Sequence, residues 1–497
     1  MASGNAASIL ARSAERAPDA VALRHGDATL TYGELRAAAD RVAAAAVAQG
    51  IVAGDRVLLV GGTVPGWVSA YHGLLSVGAV VVAVNPMAAQ AEIEHFLRDS
   101  GATLALALGE SAGKVRAAAD AVGCRYGTLE PEADAPAPPS VERDADDVAV
   151  LLYTSGTTGR PKGAMLTHGN LLATAEIFSQ EFALSDADGV LVCLPLSHVF
   201  GQSDILNPAL LSGAAVTLQT RFDAGEALEL IARDGITVFA GVPTMYNALL
   251  QAPAADGETA VGDALRLAIS GGAPIPVEIL RRFEARFGCP ILEGYGMTES
   301  TGAATFNRLS RPRKPGRVGS ALPRLAIRVV DEQGSDVAPG VVGEVLISGP
   351  VVMKGYWGRP EATAETLAGG WLRTGDLGTF DEDGDLAIVD RKKDLIIRGG
   401  YNVYPREVEE VLAEHPDVVE VLVVGVPDDH LGEEIGAAIV ARAGSALDDE
   451  AIRAWTEPRL SPYKRPRVIR FLDALPRTAT GKLARRGLDL ARQPAND

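Results

Sequence analysis

Short apolar runs rich in valine and leucine recur along the first two-thirds of the chain. Examples lie at residues 57–60, 79–84, 103–108, 148–153, 190–194, 216–218, 237–240 and 265–270. Helical patterns separate them. Strands that are apolar throughout, alternating with helices, predict parallel sheets covered on both faces. The expected body is therefore α/β, a large N-terminal domain with doubly wound, mainly parallel sheets. After about residue 319 the texture changes. Residues 327–331 and 342–348 alternate apolar and polar positions between Gly and Asp turns, which predicts a β-rich, antiparallel subdomain. Beyond Asp390-Arg-Lys-Lys-Asp394 a small α+β unit is predicted, with a helix over 405–415, strands over 418–424 and 436–442, and a helix over 449–456. The domain boundary is placed so that residues 1–392 form the N-terminal domain and residues 393–497 a mobile C-terminal domain. A Pro/Ala-rich stretch at 131–140 reads as a surface loop.

Length agrees, since 497 residues exceed what one core serves. One segment needs care. Residues 57–91 contain no Asp, Glu, Lys or Arg. Gly61, Gly62, Pro65, Gly66, Gly73, Gly78 and Pro86 interrupt it, so no clean run reaches the ~18 residues of a membrane span. Strand, helix and second strand is the better reading, and no membrane insertion is expected. The formal net charge of −18 argues against nucleic acid or anionic lipid as a partner. Local basic patches remain available for phosphate groups. Cys124, Cys193 and Cys289 are scattered, odd in number and without a CxxC pair, so neither a disulfide framework nor a thiolate metal site is expected. The N-terminus lacks an apolar h-region, with Arg12, Glu15 and Arg16 interrupting it early, so no signal peptide is read. A reducing cytoplasm fits both observations.

The segment Tyr153-Thr-Ser-Gly-Thr-Thr-Gly-Arg-Pro-Lys-Gly163 follows a buried run and concentrates small hydroxylated residues and glycine. Such a loop presents backbone N–H groups and hydroxyls to phosphate oxygens, and Lys162 adds a positive charge. Its spacing does not fit G-x-x-x-x-G-K-[ST], which excludes the usual P-loop. Taken alone it reads equally well as a flexible Gly/Ser/Thr turn.

The loop resembles the phosphate-binding signature of the adenylate-forming superfamily, which comprises acyl-CoA synthetases, non-ribosomal peptide adenylation domains and firefly luciferase. Further segments match in order: Leu30-Thr-Tyr-Gly-Glu-Leu35, Ser270-Gly-Gly-Ala-Pro274, Gly294-Tyr-Gly-Met-Thr-Glu-Ser300, Gly343-Glu344 with Gly355-Tyr-Trp357, Arg373-Thr-Gly-Asp-Leu377, Asp390-Arg-Lys-Lys-Asp394 and Pro476-Arg-Thr-Ala-Thr-Gly-Lys482. The likeness runs from about residue 10 to about residue 490 and is nearest to bacterial fatty-acid or aryl acyl-CoA ligases.

The resemblance implies an ATP-dependent acid–thiol ligase. It would join a carboxylic acid to the α-phosphate of ATP and then pass the acyl group to coenzyme A. Carboxylate and triphosphate repel, so the site must supply positive charge and a metal ion. By resemblance Thr154 and Glu299 hold Mg²⁺. Ser155, Gly156, Thr157, Thr158, Gly159 and Lys162 cradle phosphates, and Thr298 bonds the α-phosphate or the acid. Gly272, Ala273 and Pro274 line the adenine pocket, with Glu293, Gly294 and the stacking Tyr295 beside them. Asp376, assisted by Arg391, takes the ribose. Lys482 bridges carboxylate and α-phosphate in the first half-reaction. Lys393 is the hinge, after whose movement Gly399, Gly400 and Tyr401 form the thiol channel. Lys464 and Arg465 are candidates for the coenzyme A phosphates and read equally well as solvated surface.

His198 resembles the histidine that borders the acyl pocket, whose wall includes Phe200, Gly201, Asp204, Gly241, Ser270, Gly294, Gly302 and Ala303. Related fatty-acid ligases carry Phe where Ser197 stands and an uncharged residue where Asp204 stands. A carboxylate in an apolar pocket is costly unless paired. Either Asp204 meets a polar group on the substrate, making the acid an aliphatic or aromatic one with a polar substituent, or it turns outward to protein and water. Two alternatives stay open for the acceptor: the phosphopantetheine arm of a carrier protein, or an unusual one such as nitrite (diazotisation). The chain reads as a monomer or homodimer.

Overall fold

The computed structural model describes residues 4–127, 137–154, 161–253, 264–428, 430–477, 483–485, 488 and 490. The chain divides into two compact units, Met1–Ile327 with Ile347–Arg373, and Arg328–Leu346 with Thr374–Asp497. This partition follows packing. The boundary expected between residues 392 and 393 concerns movement and returns below as a proposal. The surface loop expected at 131–140 lies largely outside the described residues.

Two mainly parallel sheets build the first unit. A seven-stranded sheet has the order Gly355–Tyr356, Lys162–Thr167, Val148–Thr154, Val80–Val84, Arg56–Val60, Leu104–Ala107, Arg125–Gly127. A nine-stranded sheet runs Ser320–Ala321, Gly302–Phe306, Ile291–Met297, Leu267–Ser270, Val238–Gly241, Gly189–Val192, Ala215–Leu218, Val21–His25, Ala28–Thr31. The apolar runs are these strands, each within one or two residues of its expected ends. Val57, Leu58, Leu59 and Val60 are fully buried, which is why that strand carries no polar alternation. The uncharged stretch after it is the buried helix Pro65–Ser76 and the strand Val80–Val84. No helix among the described residues is long and apolar enough to cross a membrane.

The Leu30-Thr-Tyr-Gly-Glu-Leu35 motif has a structural role. The Thr31 hydroxyl accepts from the Glu34 amide at 3.2 Å, and the Thr31 amide donates to the Glu34 carboxylate at 2.8 Å. This capping box starts the helix Tyr32–Ala48. Tyr32 is buried behind it and donates its hydroxyl to the Ala214 carbonyl at 2.8 Å.

The second unit holds the sheet Tyr401–Val403, Ile396–Arg398, Gly432–Ala441, Val418–Asp428, with Val468–Phe471 parallel to Gly432–Ala441. The helices Pro405–Ala413 and Asp449–Thr456 cover it through Val408, Leu412 and Ile452. A further sheet, Ala326–Val330, Gly343–Ser348, Trp371–Phe380 and Leu367–Ala368, in which Leu367–Ala368 and Leu386–Arg391 run antiparallel to Trp371–Phe380, is the expected β-rich subdomain.

Candidate active site

In doubly wound sheets, ligands bind beyond the carboxyl ends of the strands. Those ends carry the candidate residues here: Thr154 closes Val148–Thr154, Gly241 closes Val238–Gly241 and Ser270 closes Leu267–Ser270. The strand Ile291–Met297 carries Glu293, Gly294 and Tyr295, and the 3₁₀ turn Thr298–Ser300 follows directly.

Thr154 and Glu299 are 145 residues apart in sequence, yet the Thr154 hydroxyl donates to Glu299 Oε1 at 3.3 Å. Glu299 is buried. Tyr356 donates its hydroxyl to the same oxygen at 2.8 Å. Its ring centroid lies 5.1 Å from Lys162 Nζ. Burial, and then the Glu299 charge, hold the Tyr356 phenol above its ordinary pKa, so it stays a donor. A carboxylate and a hydroxyl are hard oxygen donors, and a site offering one carboxylate beside a phosphate loop suits Mg²⁺, which takes its remaining ligands from water and nucleotide phosphates. Ser155, Gly156, Thr157, Thr158 and Gly159 lie outside the described residues.

Glu293 is buried, and its carboxylate accepts from the Ile275 amide at 3.1 Å. That bond ties the strand to the exposed loop carrying Gly272, Ala273 and Pro274. Gly294 lies against the Phe306 ring. A Cβ there would come within 2.3 Å of it, so only glycine lets the two strands pack this closely. Tyr295 stands opposite Thr305 on the neighbouring strand. Thr298 is half-buried at the head of its turn.

The segment Phe200–Leu206 is a π-helix, all of it buried. His198 precedes it and accepts from the Phe200 amide at Nδ1, 3.2 Å away, which fixes that nitrogen as an acceptor. The Phe200 ring packs on Gly271, and Gly201 sits on the Pro195 carbonyl. Asp204 points inward with 3% of its surface exposed. Of the outward alternative, contact with water is corrected and contact with protein stands: the carboxyl meets the strand Gly302–Phe306. Its Oδ2 accepts from the Ala303 amide at 3.2 Å, and Oδ1 has no hydrogen-bond partner among the described residues. Desolvation by burial raises its pKa well above the ordinary value, and the Ala303 bond opposes this only in part. Ser270 Oγ is likewise buried without a partner among the described residues.

In the second unit Asp376 and Arg391 are register partners on adjacent strands. Arg391 Nε lies 3.2 Å from Asp376 Oδ1, and Asp376 is buried while Arg391 is exposed. The Thr374 hydroxyl accepts from the Asp376 amide at 3.0 Å and donates to the Val345 carbonyl at 2.7 Å, which fixes the Thr-Gly-Asp turn. Lys393 is exposed in the turn after Arg391. Gly399 and Gly400 make the two-residue turn between Ile396–Arg398 and Tyr401–Val403. Tyr401 is exposed and stacks on Tyr463, with ring centroids 4.8 Å apart. Lys464 donates to both Glu407 oxygens at 2.6 and 2.7 Å, and Arg465 to the Leu460 and Glu457 carbonyls, so both carry internal duties. Lys482 lies outside the described residues. Arg477 and Leu483 form an isolated antiparallel bridge, and the Ala484 amide donates to the Pro476 carbonyl at 2.8 Å.

Sequence reasoning did not single out Tyr356 as a site residue. Its signal was its place in the Gly355-Tyr-Trp357 motif.

A phosphate-loop lysine, a hydroxyl and a carboxylate gathered at strand ends suit an enzyme that activates an acid with a nucleotide. Comparison with known proteins agrees. The AMP-binding enzyme family model matches residues 10–357, and the AMP-binding enzyme C-terminal domain matches 407–482. A feruloyl-CoA synthase of Amycolatopsis is 41% identical over 95% of this chain and 96% of its own. ATP-bound MatB from Rhodopseudomonas palustris superposes with a TM-score of 0.91 at 34% identity, covering 97% of both chains. The o-succinylbenzoate CoA synthetase of Bacillus subtilis, in complex with its acyl-adenylate intermediate, gives 0.86 at 31% identity over 96% of both. The chain belongs to the AMP-binding enzyme family. It is an ATP-dependent carboxylate–CoA ligase, an AMP-forming acid–thiol ligase that works through an acyl-adenylate.

Proposed function

We propose that this ligase activates an acid bearing a hydroxyl or amino substituent, and that Asp204 receives that substituent. The observation that carries the reading is the unpaired Oδ1 of a buried carboxyl. Leaving such a group unmet costs about 1–3 kcal/mol, so its presence calls for a partner that arrives later. Burial favours the protonated form, and a protonated carboxyl offers one O–H donor together with acceptor lone pairs. A neutral hydroxyl or aromatic amine matches both. Asp204 lies against Gly302 and Ala303, which the family likeness assigns to the acyl wall. Relatives named for feruloyl and o-succinylbenzoyl groups show that this fold serves substituted aromatic acids.

In the first half-reaction an acid oxygen attacks the α-phosphorus, the bridging α–β P–O bond breaks and pyrophosphate leaves. In the second, the thiol sulfur attacks the acyl carbon, the bond to AMP breaks and the thiol proton passes to solvent. We assign Lys482 to the charge developing in the first step, since the C-terminal family match extends to that residue. Glu299 and Thr154 would hold Mg²⁺, which neutralises phosphate charge. The other roles follow the same likeness: Asp376 with Arg391 on the ribose, Tyr295 on the adenine, His198 at the acyl pocket, Lys393 as the hinge, and Gly399 to Tyr401 on the thiol arm. Three free cysteines suit work in the cytoplasm.

The test is Asp204→Leu, which removes both donor and acceptor at similar size, assayed for pyrophosphate release with acids matched in size, with and without a hydroxyl or amino group. The expected result is a fall of about tenfold or more in the preference for the substituted acid. An unchanged preference refutes the substrate reading and leaves the ligase class untouched.

A further inference from the structure

Tyr356 occupies a two-residue edge strand, and its position is set by backbone on both sides. It pairs with Ala164 on the strand Lys162–Thr167. The Lys354 amide donates to the Met165 carbonyl at 2.9 Å and the Trp357 amide to the Gly163 carbonyl at 2.8 Å. The Tyr356 amide donates to the Thr363 hydroxyl at 2.9 Å. Only 9% of the residue is exposed. From this anchored base the side chain makes two contacts of different kinds. The hydroxyl meets Glu299 Oε1 at 2.8 Å, and the ring lies beside the Lys162 ammonium at 5.1 Å.

Glu299 is held from its other end as well, since its carbonyl accepts from the Met353 amide at 2.9 Å. Among the described residues, the two side-chain donors that reach its carboxylate, Thr154 and Tyr356, bond the same oxygen, Oε1. This leaves Oε2 as the oxygen to offer a cation. A carboxylate on a flexible side chain loses rotamer freedom when it binds a metal, and a fixed donor on one oxygen removes part of that cost beforehand. An ammonium beside an aromatic face is held without consuming its N–H donors, so Lys162 keeps them for phosphate oxygens.

We propose that Tyr356 is a positioning residue for adenylation: its hydroxyl orients Glu299 toward the Mg²⁺ of the nucleotide, and its ring docks Lys162 beside the phosphate loop. The inference rests on the reading of Glu299 as the metal-binding carboxylate. One aromatic residue thereby couples the metal position to the phosphate-binding charge.

The experiment compares wild type, Tyr356→Phe, Tyr356→Leu and Glu299→Gln. Mn²⁺ is titrated by electron paramagnetic resonance in the presence of ATP without acid, and acid-dependent ATP–pyrophosphate exchange is measured over a Mg²⁺ series. Thermal midpoints check the fold. Tyr356→Phe removes the hydroxyl and keeps the ring. It is expected to weaken Mn²⁺ binding and raise the Mg²⁺ half-saturation about tenfold or more, with the KM for ATP at saturating Mg²⁺ within about twofold of wild type. Tyr356→Leu also removes the ring and is expected to raise that KM beyond the Phe variant. If Glu299→Gln shifts the metal dependence and Tyr356→Phe does not, or if Tyr356→Phe lowers the rate equally at every Mg²⁺ concentration, the positioning role is overturned. If Glu299→Gln leaves the metal dependence unchanged, the metal reading itself fails and the inference falls with it.

Discussion

Gly302 is the position where one methyl group tests how Asp204 packs on the strand Gly302–Phe306. A Cβ there would stand 1.7 Å from Asp204 Oδ1 and 2.5 Å from the carboxyl carbon, and Gly302 has φ +125°, a conformation L side chains rarely adopt. Gly302→Ala therefore meets two separate penalties. The backbone strain costs about 1–3 kcal/mol. The clash forces a buried side chain to move in a packed interior, for about 1–3 kcal/mol more. Their sum, about 2–6 kcal/mol, is a large part of the roughly 5–15 kcal/mol that holds a domain folded. The two penalties are separable. Asp204→Ala removes the clash and also the acceptor of the Ala303 amide, so the cycle is read as coupling: Gly302→Ala should cost about 1–3 kcal/mol less in the Asp204→Ala background than in wild type. Urea unfolding of wild type, both single variants and the double variant gives the cycle. If Gly302→Ala unfolds with wild type, or if it costs as much in the Asp204→Ala background as in wild type, then Asp204 does not lie against this strand.

The raised pKa of Asp204 has a signed consequence for stability. The folded state holds that proton more tightly than the unfolded chain, so its contribution is fully present below the ordinary value of 3.8 and is lost as pH climbs through the raised folded value. Asp204→Asn cannot ionise, so the stability of wild type relative to this variant should fall as pH rises from about 4; a difference independent of pH across that span contradicts burial of the group. Lys482→Ala should lower acid-dependent ATP–pyrophosphate exchange by about 10²–10³-fold, the usual loss when one transition-state donor is removed. Conversion of supplied acyl-adenylate and coenzyme A to thioester should stay within several-fold of wild type. Equal loss in both half-reactions would take the first step away from Lys482.

Local pattern determined much of this protein. The strands Arg56–Val60, Val148–Thr154 and Leu267–Ser270 are visible as apolar runs because both faces of their sheets are covered, and the helix Asp449–Thr456 matches its expected ends residue for residue. The Thr31 to Glu34 capping box is likewise local, with both partners three residues apart. Ordered motifs sufficed to place the chain in its family, because each is a contiguous segment that can be read without the tertiary structure.

Tertiary structure decided whatever depends on strand order or on the exact turn of a helix. Sequence left Asp204 free to point inward or outward, since a period of 3.6 residues cannot foresee a π-helix. The added residue per turn at Phe200–Leu206 brings its carboxyl onto Gly302 and Ala303, almost a hundred positions away. Thr154, Glu299 and Tyr356 share one carboxylate oxygen across separations of 145 and 57 residues. No local propensity encodes that meeting. It exists because the edge strand Gly355–Tyr356 pairs with Lys162–Thr167, which is itself paired to Val148–Thr154, so the order of strands in a sheet carries distant side chains to one point.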